Sequence, residues 1–396
     1  MRQDPTKPER PRVPQASAND YTREMAARRR DFVRAQTGVE LLHGAQHSFE
    51  PSLLPGTIES FMGVIQVPLG VAGPLRLAGE HAQGDFFVPL ATTEGALVAG
   101  LDRAMRLVDE CGGIKTTVLE GGLPRAPVFT LADARAARSL SSWIEQHLGA
   151  IRAAAEATTS LGKLRDVYSV VAGPNLYLHL RFATGDVAGL HLSQKATLAA
   201  CEWIRSHHPE QPPYLVASGL ESDRRAAPLN ALWGCGRRVV AELTLKPEPT
   251  VRLLGVSPEQ LIRARELTQL GQTLAGTPHG SPSLASALSA LFLATGQDLA
   301  QLPGAHTGLS VVRPLEQGAA AWSLTLPALV IGTYGGGTGL PTQREALAML
   351  DCYGKDKANK FAEICGALAL CAELAQSARD VHGEPPVGDK YARNRP

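Results

Sequence analysis

The chain has 396 residues, 44% apolar and 19% charged, which suits about two or three domains with a sizeable core and excludes global disorder. Lys and Arg number 39 against 38 Asp and Glu, so a net charge of +1 leaves no polyanion footprint and argues against nucleic acid as a partner. Aromatic residues at 5% also argue against a stacking platform for single strands. None of the six cysteines forms a C-x-x-C pair. They are expected as small core residues of a cytoplasmic protein, not as disulfides or metal ligands, and no metal site is expected. No apolar stretch near the start resembles a signal peptide. The apolar run from Ala319 to Ile331 is broken by Ser323, Thr325 and Pro327 and is too short to span a bilayer, so no membrane is expected as a partner.

In chain order, residues 1–17 are Pro-rich and polar and read as a leader. Residues 20–36 are helix formers, and the run Arg28-Arg29-Arg30 reads as a solvated face. From Pro51 to Leu75 the chain reads as strand-like with turns, through Val64, Ile65 and Val67 and then PLGVAGPL, where Pro and Gly exclude a long helix. Residues 91–108 predict a helix capped by Thr92 or Thr93, with Glu94 in its first turn and Leu97, Leu101, Met105 and Val108 on one face. Residues 127–216 predict β-α-β-β-α-β, a split βαβ module, as a small inserted domain. Ala226–Trp233 reads as helical, and Val239–Leu245 and Val251–Leu254 as strands. Residues 283–295 predict an apolar helix opened by Ser281-Pro282, and 356–381 an amphipathic one. The expected divisions are 1–45 (leader and helix), 46–126 and 217–381 (large domain), 127–216 (small domain) and 382–396 (mobile tail).

Four features could carry chemistry. Glu94 is a carboxylate at a helix start, where the helix dipole alone would favour it. Asp298 follows the most apolar helix, and a carboxylate there must be paired or protonated. Asp223-Arg224-Arg225 is either a surface ion-pair cluster or an anion clamp. GTYGGGT (332–338) either lets backbone approach a ligand or makes a tight turn, and it lacks the G-x-G-x-x-G spacing of a dinucleotide fold.

Taken together, IESFMGVIQVPLGVAGPL (58–75), VPLATTEGALVAGLDRA (88–104), GQDLAQ (296–301) and IGTYGGGT (331–338) resemble HMG-CoA reductase of the class I type, in the family's order. The resemblance runs from about residue 20 to the end of the chain and lacks the family's membrane anchor. It implies an α/β fold: a large acyl-CoA domain with an inserted ferredoxin-like domain for NADPH, working as a homodimer with its active sites at the subunit interface. It implies reduction of a thioester by two hydrides, through a hemithioacetal and an aldehyde. Glu94 and Asp298 then match catalytic carboxylates. Arg103, Arg125, Ser218, Asp223 and Arg225 fall among the substrate contacts. Ser160, Asp186, Gly189, Gly335, Gly336, Thr338, Asn394 and Arg395 fall among the cofactor contacts.

The departures from the family pattern carry as much information. The catalytic Lys falls on Arg224, which stabilises an oxyanion but is a poor proton donor. Leu267 stands at a carboxylate-binding Lys, Ser283 and Ser286 at a His and an Asn, and Leu161 at a cofactor-binding Arg. The C-terminal His falls on Lys390 or Asp389, and His382, upstream, reads as a helix-end residue. The expectation is therefore a reductase of another acyl thioester, on CoA or a carrier protein, with NADPH bound weakly or lost. A non-redox homologue doing acid–base chemistry with Glu94, Asp298 and Arg224 is the alternative.

Overall fold

The computed structural model describes residues 11–119, 121–277 and 282–383. The chain forms two compact units, Met1–Pro68 and Leu69–Pro396. In the first, helix α1 (Arg23–Thr37) starts at Thr22, whose hydroxyl accepts from the Met25 N–H, and ends at Gly38, which takes the left-handed cap at φ 74°. The expected solvated arginine face is corrected here. Arg29 is only 1% exposed, ion-paired with Asp20 and bonded to the carbonyls of Pro14, Asp20 and Phe61. A buried guanidinium of this kind must spend its donors on oxygens, and it gathers three chain segments in doing so. The strand-like reading of Val64–Val67 is also corrected. That run has no sheet partner among the described residues, Ile65 is solvent-exposed, and pairing begins only after Pro68.

The second unit runs β1 (Leu69–Ala78), β2 (Gln83–Ala91), α2 (Leu97–Cys111), β3 (Lys115–Leu119), β4 (Leu123–Arg125), β5 (Val128–Thr130), α3 (Ala134–Gln146), α4 (Leu148–Glu156), β6 (Lys163–Ala172), β7 (Asn175–Ala183) and α5 (Leu190–His207). It continues with β8 (Tyr214–Leu215), α6 (Pro228–Trp233), β9 (Arg237–Leu245), α7 (Pro247–Leu254), α8 (Pro258–Leu274), α9 (Pro282–Thr295), α10 (Leu302–Ala305), β10 (Leu309–Pro314), β11 (Ala320–Leu329), α11 (Pro341–Met349) and α12 (Ala358–His382).

The large sheet is antiparallel, in the order β10-β11-β9-β3. Strands β3 and β9 pair directly, Lys115 opposite Glu242, although the whole β4–α6 stretch lies between them in sequence. That stretch builds its own antiparallel sheet, β6-β7-(β4, β5)-β8, with β4 and β5 end to end along β7. Its core is Phe129, Leu140, Ile144, Leu178, Leu180, Phe182 and Ile204, all nearly inaccessible. The element series over 128–215 is the predicted one, with the first helix divided at His147.

Helix α12 differs from its amphipathic reading. Every residue from Phe361 to Leu374 is buried, Glu363 included, because α2, α8 and α9 and the large sheet surround it. By length and composition it could cross a bilayer, but 89% of its most apolar stretch is buried inside this fold. Gly366 allows the close approach to β9: a Cβ there would lie 2.7 Å from Val239. The expected strand at Val251–Leu254 is instead the end of α7. Pro247 opens that helix at a position needing no N–H, and Val251 points to solvent.

Candidate active site

Three loops meet in the second unit. Helix α9 stops at Thr295, and Gly296 turns at φ 69° into the Asp298 segment. The Gly-rich loop lies against it so closely that a Cβ on Gly296 would sit 2.4 Å from the Gly337 carbonyl oxygen, and one on Gly337 2.7 Å from that of Gly296. The Asp186–Gly189 loop closes the other side. Thr333 N–H donates to the Asp186 carbonyl at 2.9 Å, and a Cβ on Gly332 would lie 2.9 Å from the Ala188 nitrogen. Gly189 turns at φ 79° into α5. Gly335 and Gly336 also have positive φ, and around the Gly336 Cα there is open space. Thr338 is buried and donates to the Gly335 carbonyl at 2.7 Å, which fixes the bend. The result is a backbone cradle of the kind a ligand's phosphate or amide can enter.

Asp298 lies two residues beyond Gly296, which touches the Gly-rich loop. Its Oδ1 accepts from Ala300 N–H at 3.0 Å, and its Oδ2 accepts from the Arg224 guanidinium at 3.0 Å and from Gln301 at 3.4 Å. Arg224 is half-exposed and sits on the loop before α6 with a left-handed backbone, φ 59°. Asn230, 1% exposed, staples that loop by donating to the Ser222 and Arg225 carbonyls and accepting from the Ser222 hydroxyl. The sequence reading gave Asn230 no role; an Asn inside a six-residue helix just after a charged turn was the available signal. One residue before Arg224, Asp223 pairs with Arg125 at 3.0 Å. Arg125 also donates to the Ser193 hydroxyl and the Leu190 carbonyl. Three of its five N–H groups therefore brace the start of α5 against the Asp223 loop.

The remaining expected residues fall as follows. Ser218 joins the same loop, its N–H bonded to the Ala126 carbonyl, and Arg225 donates to the Gly219 carbonyl. Asp186 turns its carboxylate to the first turn of α12, accepting from Asp356 and Ala358 N–H at 2.8 and 3.1 Å. The turn holding Ser160 touches the start of α5, since a Cβ on Gly162 would meet Leu192 at 2.3 Å. Leu161 beside it is exposed. Arg103 lies on the exposed face of α2 and, among the described residues, makes no hydrogen bond or ion pair with any of these groups. Asn394, Arg395, Asp389, Lys390 and Ser281 lie outside the described residues.

Glu94 does not begin the helix. The helix starts at Leu97 after Ala96 at φ 68°, and the Thr92 hydroxyl accepts the Glu94 N–H at 3.0 Å, turning the loop instead of capping α2. Glu94 is exposed, and among the described residues no hydrogen bond or ion pair joins it to Arg224 or Asp298. His382 is tied through Nε2 to the Leu254 carbonyl at 2.9 Å, at the end of α7.

A cavity of about 470 Å³ borders the Asp186 loop, with Gly122, Gly185, Arg237 and Asn359 on its walls. Burial holds the Arg237 guanidinium below the ordinary arginine pKa, and it donates to Gly185 and Asn359. Among the described residues one cluster has metal-ligand chemistry, Glu80, His81 and Glu363. The buried Glu363 carboxylate already accepts the N–H groups of Glu80, His81 and Ala82, so it serves as a turn cap. Five of the six cysteines are buried, and burial pushes the Cys352 thiol up to about 12, far from thiolate chemistry.

The chain matches the family described as hydroxymethylglutaryl-coenzyme A reductase over residues 25–379. It is 38% identical over 358 residues to the 3-hydroxy-3-methylglutaryl-coenzyme A reductase of Pyrococcus abyssi, covering 88% of this chain and 87% of that protein. It is 35% identical over 354 residues to that of Methanocaldococcus jannaschii, covering 88% and 87%. In structure it resembles the class II enzyme of Streptococcus pneumoniae bound to NADPH, with a TM-score of 0.69 over 92% of this chain and 100% of that one. At 18% identity that likeness speaks to the fold alone. The motif order, the meeting of the three loops and the identity along nearly the whole length agree: this chain belongs to the hydroxymethylglutaryl-coenzyme A reductase family.

Proposed function

We propose that the chain is an NADPH-dependent reductase of an acyl thioester, carried on coenzyme A or a carrier protein, whose acyl group is not hydroxymethylglutaryl. The observation that carries this reading is the Arg224–Asp298 pair, set at 3.0 Å beside the glycine cradle. A guanidinium there supplies donors to a carbonyl oxygen as negative charge develops on it. Asp298 keeps the guanidinium aimed, and with Glu94 it accepts or returns protons. Arg224 itself cannot hand over a proton at neutral pH, so a leaving thiolate needs another acid. A second copy of the chain would bring Glu94 to the pair, since Glu94 is exposed and bonded to neither member. Light scattering that finds only a monomer near 42.0 kDa at micromolar concentration would overturn this homodimer.

The cradle fits a dinucleotide. Backbone at Gly335 and Gly336, the N-terminal turn of α5 after Gly189, and Ser160 would hold it. When bound, NADPH supplies the hydride. Leu161 offers no cation nearby, and one lost charge-assisted contact weakens binding by about 1.5–3 kcal/mol. On α8, Leu267 is 52% exposed and offers no partner to a distal carboxylate, so a less charged acyl group suits the site.

The test is NADPH oxidation with saturating HMG-CoA beside a panel of uncharged acyl-CoAs. Turnover of HMG-CoA above about 1 s⁻¹ that disappears in Glu94→Gln would overturn the substrate reading. One observation favours a second reading: an arginine at the catalytic cation polarises a carbonyl without needing a hydride. On that reading the site cyclises, dehydrates or isomerises an acyl substrate, and titration with NADPH finds no binding.

A further inference from the structure

We propose that Gln297 is a positioning residue that joins the Asp298 turn and the Gly-rich loop into one rigid piece, so that a ligand in the cradle and the ion pair at Asp298 are felt together. Gln297 is 8% exposed. Its side-chain amide grips the two peptide units that flank the Gly332 Cα: Oε1 accepts the Gly332 N–H at 2.9 Å, and Nε2 donates to the Gly332 carbonyl at 2.9 Å. The second Nε2 hydrogen goes to the Thr295 carbonyl at 3.2 Å. A single hydrogen bond would hold the loop at a point. Two in opposite senses also fix its rotation, and burial makes both strong.

The neighbours of this clamp give it its consequence. Asp298 follows Gln297 directly and holds Arg224. Gly332 lies against Ala188 of the Asp186–Gly189 loop. Gly296 and Gly337 touch backbone to backbone beside it. A continuous line of contacts therefore runs from Ala188 through Gly332 and Gln297 to Asp298 and Arg224. A shift of the cradle by a ligand must move the turn that carries Asp298. The role rests on the reading above that Asp298 and the Gly-rich loop serve one reaction.

Two variants of the full chain test it. Gln297→Met keeps the volume and removes every side-chain hydrogen bond of the clamp. Gln297→Glu keeps the acceptor, and its acid form also restores the donor to the Gly332 carbonyl, whereas the ionised form repels it. Burial raises the pKa of such a carboxyl, so the clamp should reform between about pH 8 and about pH 5.5. Asp298 and Arg224 pair next to the clamp, the Asp186 carboxylate is held on the first turn of α12, and the parent chain, run at both pH values, accounts for all three. Hydrogen exchange read by mass spectrometry should speed up about tenfold at both 297–301 and 331–339 in Gln297→Met, while α12 and the small sheet keep their protection. In Gln297→Glu the same two segments should be fast at the higher pH and protected again at the lower. A merely structural glutamine would loosen the unit as a whole, with no recovery on acidification. Unchanged exchange in Gln297→Met, or acceleration confined to 297–301, overturns the proposal. NADPH binding forms a separate arm. About tenfold weaker binding in Gln297→Met supports the coupling, and parent-like binding overturns it. A parent that binds no NADPH overturns the redox reading, and the exchange data still decide the role of Gln297.

Discussion

Arg224 reaches Asp298 at 3.0 Å from a left-handed backbone at φ 59°, while its neighbour Asp223 reaches the other way to Arg125, also at 3.0 Å. The two consecutive side chains leave one tight loop for partners far apart in sequence. The left-handed turn separates them, at a strain of about 1–3 kcal/mol for a residue with a Cβ. Asn230 and the Arg225–Gly219 bond hold the loop in that shape.

Function and stability should therefore part company at Arg224. Arg224→Ala should lower turnover about 10²–10³-fold, as loss of an oxyanion donor does. Arg224→Gly should lose as much activity, yet unfold with about 1 kcal/mol more stability than Arg224→Ala, because glycine relaxes the backbone. Urea unfolding of the two variants, with activity on the substrate found, checks both. If Arg224→Ala keeps most activity, Arg224 belongs to a surface ion pair only.

Asp223 should matter in a different currency. It and Arg125 are mostly buried, with side chains 12% and 13% exposed. Asp223→Ala leaves a guanidinium without its counter-charge and should cost about 2–4 kcal/mol, whereas Asp223→Asn keeps an acceptor and should cost less. Equal losses in urea unfolding would show that the charge alone counts and that a neutral acceptor restores nothing.

Period and punctuation made much of this fold legible. The small sheet's series, the helices at 283–295 and 356–381, and the GQD and GGG turns follow from apolar spacing and from glycine. What escaped depends on neighbours far off in sequence. Val251–Leu254 is apolar enough for a strand, but Pro247 and its place beside α2 make it helix. The arginine run gave no sign that Arg29 alone would be buried among carbonyls. At the site, Asp298 and Arg224 each stand out by residue type, yet their direct pairing is not readable from residues so far apart. Nor is the commitment of three Arg125 donors and of the Asp186 carboxylate to the chain itself. Residue types announce chemistry, while partners decide whether it is turned inward or left for a ligand.

The glycine cradle yields a graded prediction. Gly337→Ala drives a Cβ to 2.7 Å from a backbone oxygen that cannot step aside, and should cost roughly 3 kcal/mol. Gly336→Ala meets open space but keeps φ 59°, so about 1 kcal/mol is expected. Gly339→Ala meets neither obstacle and should stay within about 0.5 kcal/mol of the parent. Thermal unfolding of the three variants tests the order. A neutral Gly337→Ala would mean that the two loops are not in contact in solution.

The last prediction concerns acid. His179 on β7 is 1% exposed, with its ring 4.7 Å from that of Trp233 and 6.4 Å from that of Tyr168. Neither ring nitrogen has a hydrogen-bond partner. Burial first, and the nearby Arg181 charge second, hold its pKa at about 4 against an ordinary 6.5. The unfolded chain therefore takes up this proton as the pH falls through about 6.5, while the folded chain resists until about 4. Stability tied to His179 is complete above the upper value and drains away across that window, by about 3 kcal/mol at most. His179→Phe keeps an aromatic ring among aromatic neighbours and carries no proton. Urea unfolding from about pH 7.5 down to about pH 4 should show the parent losing up to about 3 kcal/mol more than His179→Phe, since carboxylate titration is common to both. Parallel curves would place the acid sensitivity of this fold elsewhere and show that His179 finds a proton partner when it is charged.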